Sequence, residues 1–313
     1  MNGKKQNHLG VSLLAIGMCV SMNAEVQAQG ACSASAKAAH QACGFDAKDD
    51  YWINYGNCVN TDDKAEKKAC IREAREEKQE AKQLCREQRQ ARADICNSLG
   101  QAPYNPVIDP ANFLSPAQIA ANPNPYFPLI PGMIKVITSG DETITVTVTE
   151  DTVDILGVPC VVVRDTVIED DNLVEDTFDW YAQDSEGNVW YFGELSKNYE
   201  EGELVDLDGS WKSGVDGAQP GIIMHAYPQV GTIYRQEYFL GEAEDMAEIV
   251  SVTENSESVP AADCSGVCVV SREFLPIEPD VEEYKYYAPG VGFILAIDPE
   301  SGDREELVEL IMP

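Results

Sequence analysis

Two rhythms of apolar and polar positions divide the chain. From Met133 onward the two kinds of residue alternate. In ETITVTVTEDTVDILG, Ile144, Val146 and Val148 fall on one side and Thr143, Thr145 and Thr147 on the other, the period of a half-buried strand. PCVVVRDTVIED, NLVEDTFDWYAQD and NVWYFGEL continue it, followed by TIYRQEYF, MAEIVSVTE, GVCVVSREFL, EEYKYYAPG, VGFILAID and REELVELIM. Nearly every gap carries Gly, Asp, Asn or Pro, the residues of turns. The pattern predicts a mainly β domain over 132–313. Its form is a curved antiparallel meander of about ten or more strands, half-barrel or barrel-like, since so long a sheet curls or closes.

The earlier part reads differently. Thr61 to Leu99 is rich in Ala, Glu, Lys, Arg and Gln, strong helix formers, and predicts one long helix. Thr61, Asp62 and Asp63 are its N-terminal cap and acidic first turn, and Gly100 its C-terminal cap. Its apolar content is thin: Ile71, Leu84, Ile95 and Leu99. So small a core needs staples, and six cysteines supply them. Cys32 and Cys96, Cys43 and Cys85, and Cys58 and Cys70 lie symmetrically about residue 64, as residues facing each other across an antiparallel hairpin do. The steps from Cys32 to Cys43 and from Cys85 to Cys96 are close to three helical turns. The expectation is a helical hairpin over 29–100 with nested disulfides Cys32–Cys96, Cys43–Cys85 and Cys58–Cys70. The layout resembles disulfide-stapled hairpins of the C-x9-C type; the spacing here is C-x10-C, so the likeness carries architecture only. Between the two parts, residues 101–131 hold eight prolines and predict an extended linker lying against the β domain. Ser115-Pro116 to Ala121 is its one short helix.

Cysteine and charge change the picture. Ten cysteines suit an exported protein, because disulfides persist in oxidising compartments. Lys4 and Lys5, an apolar run from Leu9 to Met22 and the small-residue site Val26-Gln27-Ala28 read as a cleavable signal peptide over 1–28, hence a secreted or periplasmic chain. A lipoprotein signal ending at Cys19 is the competing reading. No later stretch is apolar for the length a membrane helix needs. Residues 29–100 carry equal numbers of acidic and basic side chains, whereas 101–313 carry 41 acidic against 8 basic. That field repels nucleic acid and attracts cations or a basic partner.

Candidate chemistry is sparse. His225 is the one histidine of the β domain, and no nucleophile, metalloprotease or nucleotide-loop motif is present. The reading is a non-enzymatic binding protein without a cofactor, with an unrecognised hydrolase as one alternative. DLDGSWKSGVDG begins like a calcium loop but has Trp211 where that loop needs Gly and Gly217 where it needs Glu. Asp206, Asp208 and Asp216 remain candidates for an irregular Ca²⁺ site, as do Glu169, Asp170 and Asp171 with Glu175 and Asp176. No C-x2-4-C zinc spacing or C-x-x-C redox pair occurs within 29–100. Of the other three cysteines, either Cys264 and Cys268 close a small ring and leave Cys160 a buried thiol, or Cys160 pairs with Cys268.

The densest aromatic stretch is DWYAQDSEGNVWYFGE. Alternation places Phe178, Trp180 and Ala182 opposite Asp179, Tyr181 and Gln183, and Trp190 and Phe192 opposite Val189, Tyr191 and Gly193. One reading is a hairpin of core aromatic pairs. The functional reading is an apolar small molecule held on the concave face by Trp180, Trp190, Phe192 and Tyr287, with Tyr181, Tyr191 and Glu194 at its polar edge. The rival is a structural or protein-interaction module: those aromatics packed solid, and Tyr51, Trp52 and Tyr55 exposed on the hairpin. A weak repeat matches Cys160-Val-Val-Val-Arg164-Asp165 to Cys268-Val-Val-Ser-Arg272-Glu273, and Trp180-Tyr181-Ala182 to Tyr286-Tyr287-Ala288, implying two similar meander halves in one sheet.

DWYAQDSEGNVWYFGE, GSWKSGVDGAQPGIIM, YRQEYFLGEAEDMAEIV and KYYAPGVGFIL together resemble a widespread uncharacterised family of exported bacterial β-rich proteins, over residues 133–313. That likeness brings no catalytic residues. The meander with its late Tyr-Ala-x-Gly-Val-Gly strand is also similar to half-barrel lipoprotein-carrier folds, which speaks to fold alone.

Overall fold

The structure is a computed structural model and describes residues 30–254 and 256–313. The leader expected over 1–28, Cys19 included, lies outside these residues. Helix α1 spans Ala31–Val59 and α2 spans Lys64–Leu99. The second helix starts three residues after Thr61, because Asp63 is the cap: its side chain accepts from the amides of Ala65 and Glu66. Gly100 ends the helix at φ 90°. The three predicted disulfides form, Cys32–Cys96, Cys43–Cys85 and Cys58–Cys70. Between the helices lie Ala36, Ala39, Ala47 and Ala74, so the helices meet on small residues and sulfur rather than on large side chains.

The linker carries a 3₁₀ turn at Pro110–Asn112 and helix α3, Pro116–Ala121, capped by Ser115. It is stitched to the sheet. Leu114 donates to the Gln183 carbonyl at 3.0 Å, Gly290 donates to Pro125, and the Asn124 amide reaches the carbonyls of Gly187 and His225.

Among the described residues, eighteen short and long strands follow. The first five are β1 Ile134–Ser139, β2 Glu142–Ile155, β3 Val158–Glu169, β4 Asn172–Gln183 and β5 Val189–Leu195. The next are β6 Asn198–Glu200, β7 Glu203–Asp206, β8 Trp211–Lys212, β9 Gln219–Met224, β10 Ile233–Arg235, β11 Glu237–Tyr238 and β12 Met246–Glu254. The last are β13 Ser258–Val259, β14 Ala262–Asp263, β15 Cys268–Phe274, β16 Glu282–Ala288, β17 Gly292–Ile297 and β18 Arg304–Ile311. One antiparallel sheet runs β10-β12-β15-β16-β17-β18-β1-β2-β3-β4-β5-β9-β11. Its two ends, β10 and β11, are separated in sequence by Gln236 alone. The sheet therefore nearly closes into a barrel across one short segment. Gly221 of β9 permits that closure: a Cβ there would lie 2.2 Å from the Gln236 carbonyl oxygen.

Residues from strands all round this ring form one core cluster, including Val148, Val163, Tyr191, Met224, Ile249 and Tyr287. That cluster marks the interior face, and the linker's Ile119 and Leu129 belong to it. The repeat is visible in the pairing. Val161 faces Tyr181 across β3 and β4, and its counterpart Val269 faces Tyr287 across β15 and β16. Cys264 and Cys268 form the small disulfide ring, while Cys160 is a free, buried thiol, so the competing Cys160–Cys268 bridge is overturned. The two half-cystines are four residues apart in one loop and strand start, whereas Cys160 lies on β3, packed among Ile155, Val158, Ala182 and Phe192.

Candidate binding surfaces

The pleat divides the predicted ligand residues between two faces of the sheet. Tyr181 and Tyr191 point into the barrel, stacked at 4.6 Å between ring centres, with Phe127 of the linker on one side and Trp211 on the other. Tyr287 belongs to the same interior cluster, its hydroxyl on Glu273 at 2.9 Å. Trp180, Trp190 and Phe192 project to the other face. There Phe113 of the linker lies edge-on against Trp190 and Phe192, and Phe192 has no exposed surface. Trp190 donates its indole N–H to Asp184. The seven residues do not converge on one cavity. Trp180 and Glu194 border a depression of about 280 Å³ with Trp211, Lys212 and Phe239.

Glu194 reaches the interior through a β-bulge. The pairing slips between Asp179 and Tyr181, and Gly193 takes φ 128° against the Trp211 backbone, where a Cβ would lie 2.3 Å from the carbonyl oxygen. Strict alternation would have put Glu194 with Trp190 and Phe192. Instead it sits beside Asp179, and both carboxyls contact the Tyr191 hydroxyl, Asp179 at 2.5 Å. A phenol has one proton to donate, so this cluster is satisfied when one carboxyl is also protonated. Burial, then mutual repulsion with Glu194, holds Asp179 well above the usual carboxylate range. Burial raises Glu194 too, and burial with Asp245 nearby raises Glu237. Asp165 and Asp245 are each pushed up to about 7, chiefly by burial. Glu273 is the exception. Burial pushes it up, but Lys285 at 3.1 Å and the Ser271 and Tyr287 hydroxyls hold it below its ordinary value. The barrel interior is thus acidic and tyrosine-rich, with much of its carboxylate charge suppressed.

The acidic loop residues are engaged within the chain only in part. Asp206 accepts from the Asn198 side chain and the Asp208 amide, and Asp208 and Asp216 are exposed loop residues. Asp170 and Asp171 are the two positive-φ residues of the β3–β4 turn. Asp176 pairs with Arg164 and Lys197, and Glu175 accepts from Thr177. Among the described residues no three His, Cys, Asp or Glu side chains converge as a metal-holding set. His225 packs its ring on Tyr234 at 4.5 Å, and burial lowers its pKa.

The hairpin offers a different surface. Its base is fixed to the barrel: Arg92 makes a buried fork with Glu244, at 2.7–3.0 Å, and Gln88 donates to the Ile277 carbonyl. Beyond Gln88, α2 runs back 24 residues to Lys64, about 36 Å of helix. On this outer half of α1, Phe45 is 66% exposed, Trp52 61% and Val59 43%. These three recur every seven residues and so share one stripe of the helix. Tyr51, Trp52 and Tyr55 touch one another, with Lys78 of α2 3.8 Å over the Tyr51 ring. Phe45 and Val59 were not singled out from sequence, although their spacing about Trp52 was the available signal.

Comparison of the chain with protein-family models, with curated proteins and with solved structures finds no match. The likeness drawn for residues 133–313 therefore rests on its motifs alone.

Proposed function

We propose that this is an exported, non-enzymatic interaction protein that docks a helical segment of a partner protein on the Phe45–Trp52–Val59 stripe of its hairpin. The observation that carries this reading is the stripe itself. Three large apolar side chains stand exposed at heptad spacing on a helix held rigid by three disulfides. An apolar row of that period is what a second helix packs against. The four disulfides are those of a protein that matures in an oxidising compartment; with the leader expected over 1–28, the partner is met outside the cytoplasm. Rigidity matters to affinity, since a helix already ordered pays little on binding.

Apolar-ligand holding by the barrel has less support. Phe192 is wholly covered, Tyr287 is 3% exposed, and the aromatic residues divide between two faces. The acidic loops remain the alternative route to cations or a basic surface. Native mass spectrometry of the chain purified from an exporting cell without detergent distinguishes these readings. A protein-sized adduct lost on Trp52→Ser is expected. Excess mass of a small molecule, or calcium-sized steps removed by chelator, with no dependence on Trp52, would overturn the docking reading.

A further inference from the structure

Where the hairpin meets the barrel, a cavity of about 140 Å³ is lined by both of the buried arginines among the described residues, Arg92 of α2 and Arg235 of β10. Arg92 is matched by Glu244, yet its Nη1 is buried and has no partner. Arg235 is 9% exposed and makes no ion pair; its one hydrogen bond is from Nη1 to the Met246 sulfur at 3.6 Å. Its guanidinium packs against two aromatic rings that touch each other, 5.4 Å from Tyr104 and 4.8 Å from Tyr238. Part of the wall is apolar, with Leu99, Leu240, Ala36 and the Cys32–Cys96 disulfide; Ser35 and Glu244 also line it.

The charge count in this cavity does not close. Arg92 and Glu244 cancel, and Arg235 remains as a largely buried cation without an ion-pair partner of its own, a costly arrangement unless something compensates it. A guanidinium cannot shed its proton to escape that cost. The acidic side chain whose charge acts on Arg235 is Glu244, which is already forked with Arg92. We infer that this cavity is a binding site for a small organic carboxylate, its carboxyl group on Arg235 and its short apolar tail against Leu99 and Leu240. The single unmatched charge suits a monoanion, and the Glu244 carboxylate beside it disfavours a phosphate dianion. A carboxylate also matches the planar fork of a guanidinium whose orientation is fixed by packing against two rings. A water molecule needs roughly 10–15 Å³ of such space, so the cavity admits a small acid and excludes a lipid or an oligosaccharide. This site is separate from the helical stripe, and either can fail alone.

The test is ¹⁵N-arginine NMR of the full mature chain, titrated with sodium propionate and benzoate, with phosphate and chloride at matched ionic strength. A saturating shift of the Arg235 Nε resonance with the carboxylates is expected, with phosphate weaker by about tenfold or more. Arg235→Gln should lose the carboxylate response, weakening affinity by roughly ten- to a hundredfold. Leu240→Phe, which keeps both arginines and fills the cavity, should weaken benzoate more than chloride, and serves if Arg235→Gln does not fold. No saturation in the wild-type chain, or equal responses to all four anions, would overturn the site.

Discussion

The hairpin and the barrel solve the problem of stability in opposite ways. The barrel buries large side chains in one continuous interior and tucks its aromatic residues under a linker. The hairpin has almost no large buried residues; alanine contacts and three disulfides hold it, Phe45 and Trp52 stay outside, and Tyr51 and Tyr55 are half-buried. A helix pair that does not need its aromatic residues for a core is free to use them for contact. The covalent framework thus leaves those side chains free of a structural role, and the barrel is the base on which the arm is mounted.

The comparison breaks most sharply at the staples. Replacing Cys43 and Cys85 together by Ala should destabilise the hairpin by about 4 kcal/mol, from the loop of 42 residues they close. Circular dichroism should then show helical signal melting well before the strand signal. A single cooperative transition would mean that arm and barrel are one folding unit. Arg92→Met strands the buried Glu244 carboxylate at the joint and should cost about 3–5 kcal/mol. Hydrogen exchange should localise that loss to the base of α2 and the Gly241–Asp245 turn, with the tip of the hairpin unchanged.

The barrel interior gives the next effect, through pH. Asp165 and Asp245 have folded-state values near 7, above the ordinary carboxylate value near 4. Between those values the folded chain binds more protons than the unfolded one, so stability falls as pH rises from about 4 to about 7. Glu273 acts in the other direction: its depressed value gives stability that is lost as pH falls below its ordinary range. The melting temperature should therefore be higher at pH 5 than at pH 8, by roughly 5 °C, and Asp165→Asn should flatten the slope. A rising profile over the same range would contradict the interior described here. The smallest effect is expected at the stripe. Trp52→Ser on the exposed face should change stability by less than about 0.5 kcal/mol, measured by denaturant unfolding.

Much of this architecture was readable from spacing. The mirror symmetry of six cysteines about residue 64 named the three cross-links, because an antiparallel hairpin imposes that symmetry. The period-two stretches located the strands, and the match of Cys160–Asp165 to Cys268–Glu273 foreshadowed equivalent registers. The site was less legible. Alternation sorts Tyr181 from Trp180, but only closure at Gln236 makes one of those faces an interior. The bulge at Gly193, which carries Glu194 to Asp179, depends on backbone contact with Trp211 and leaves no period to read. Arg92 and Glu244 lie 152 residues apart, and nothing local pairs them.

The most direct test of the central claim is a photo-crosslinking scan along α1 in the exporting cell. A photoreactive residue is placed in turn at Phe45, Trp52 and Val59, and at Asp46 and Asn57, which are exposed on other faces of the same helix. One protein adduct is expected from the three stripe positions and none from the other two. Adducts independent of helix face, or none at Trp52 while positions on the barrel react, would contradict it.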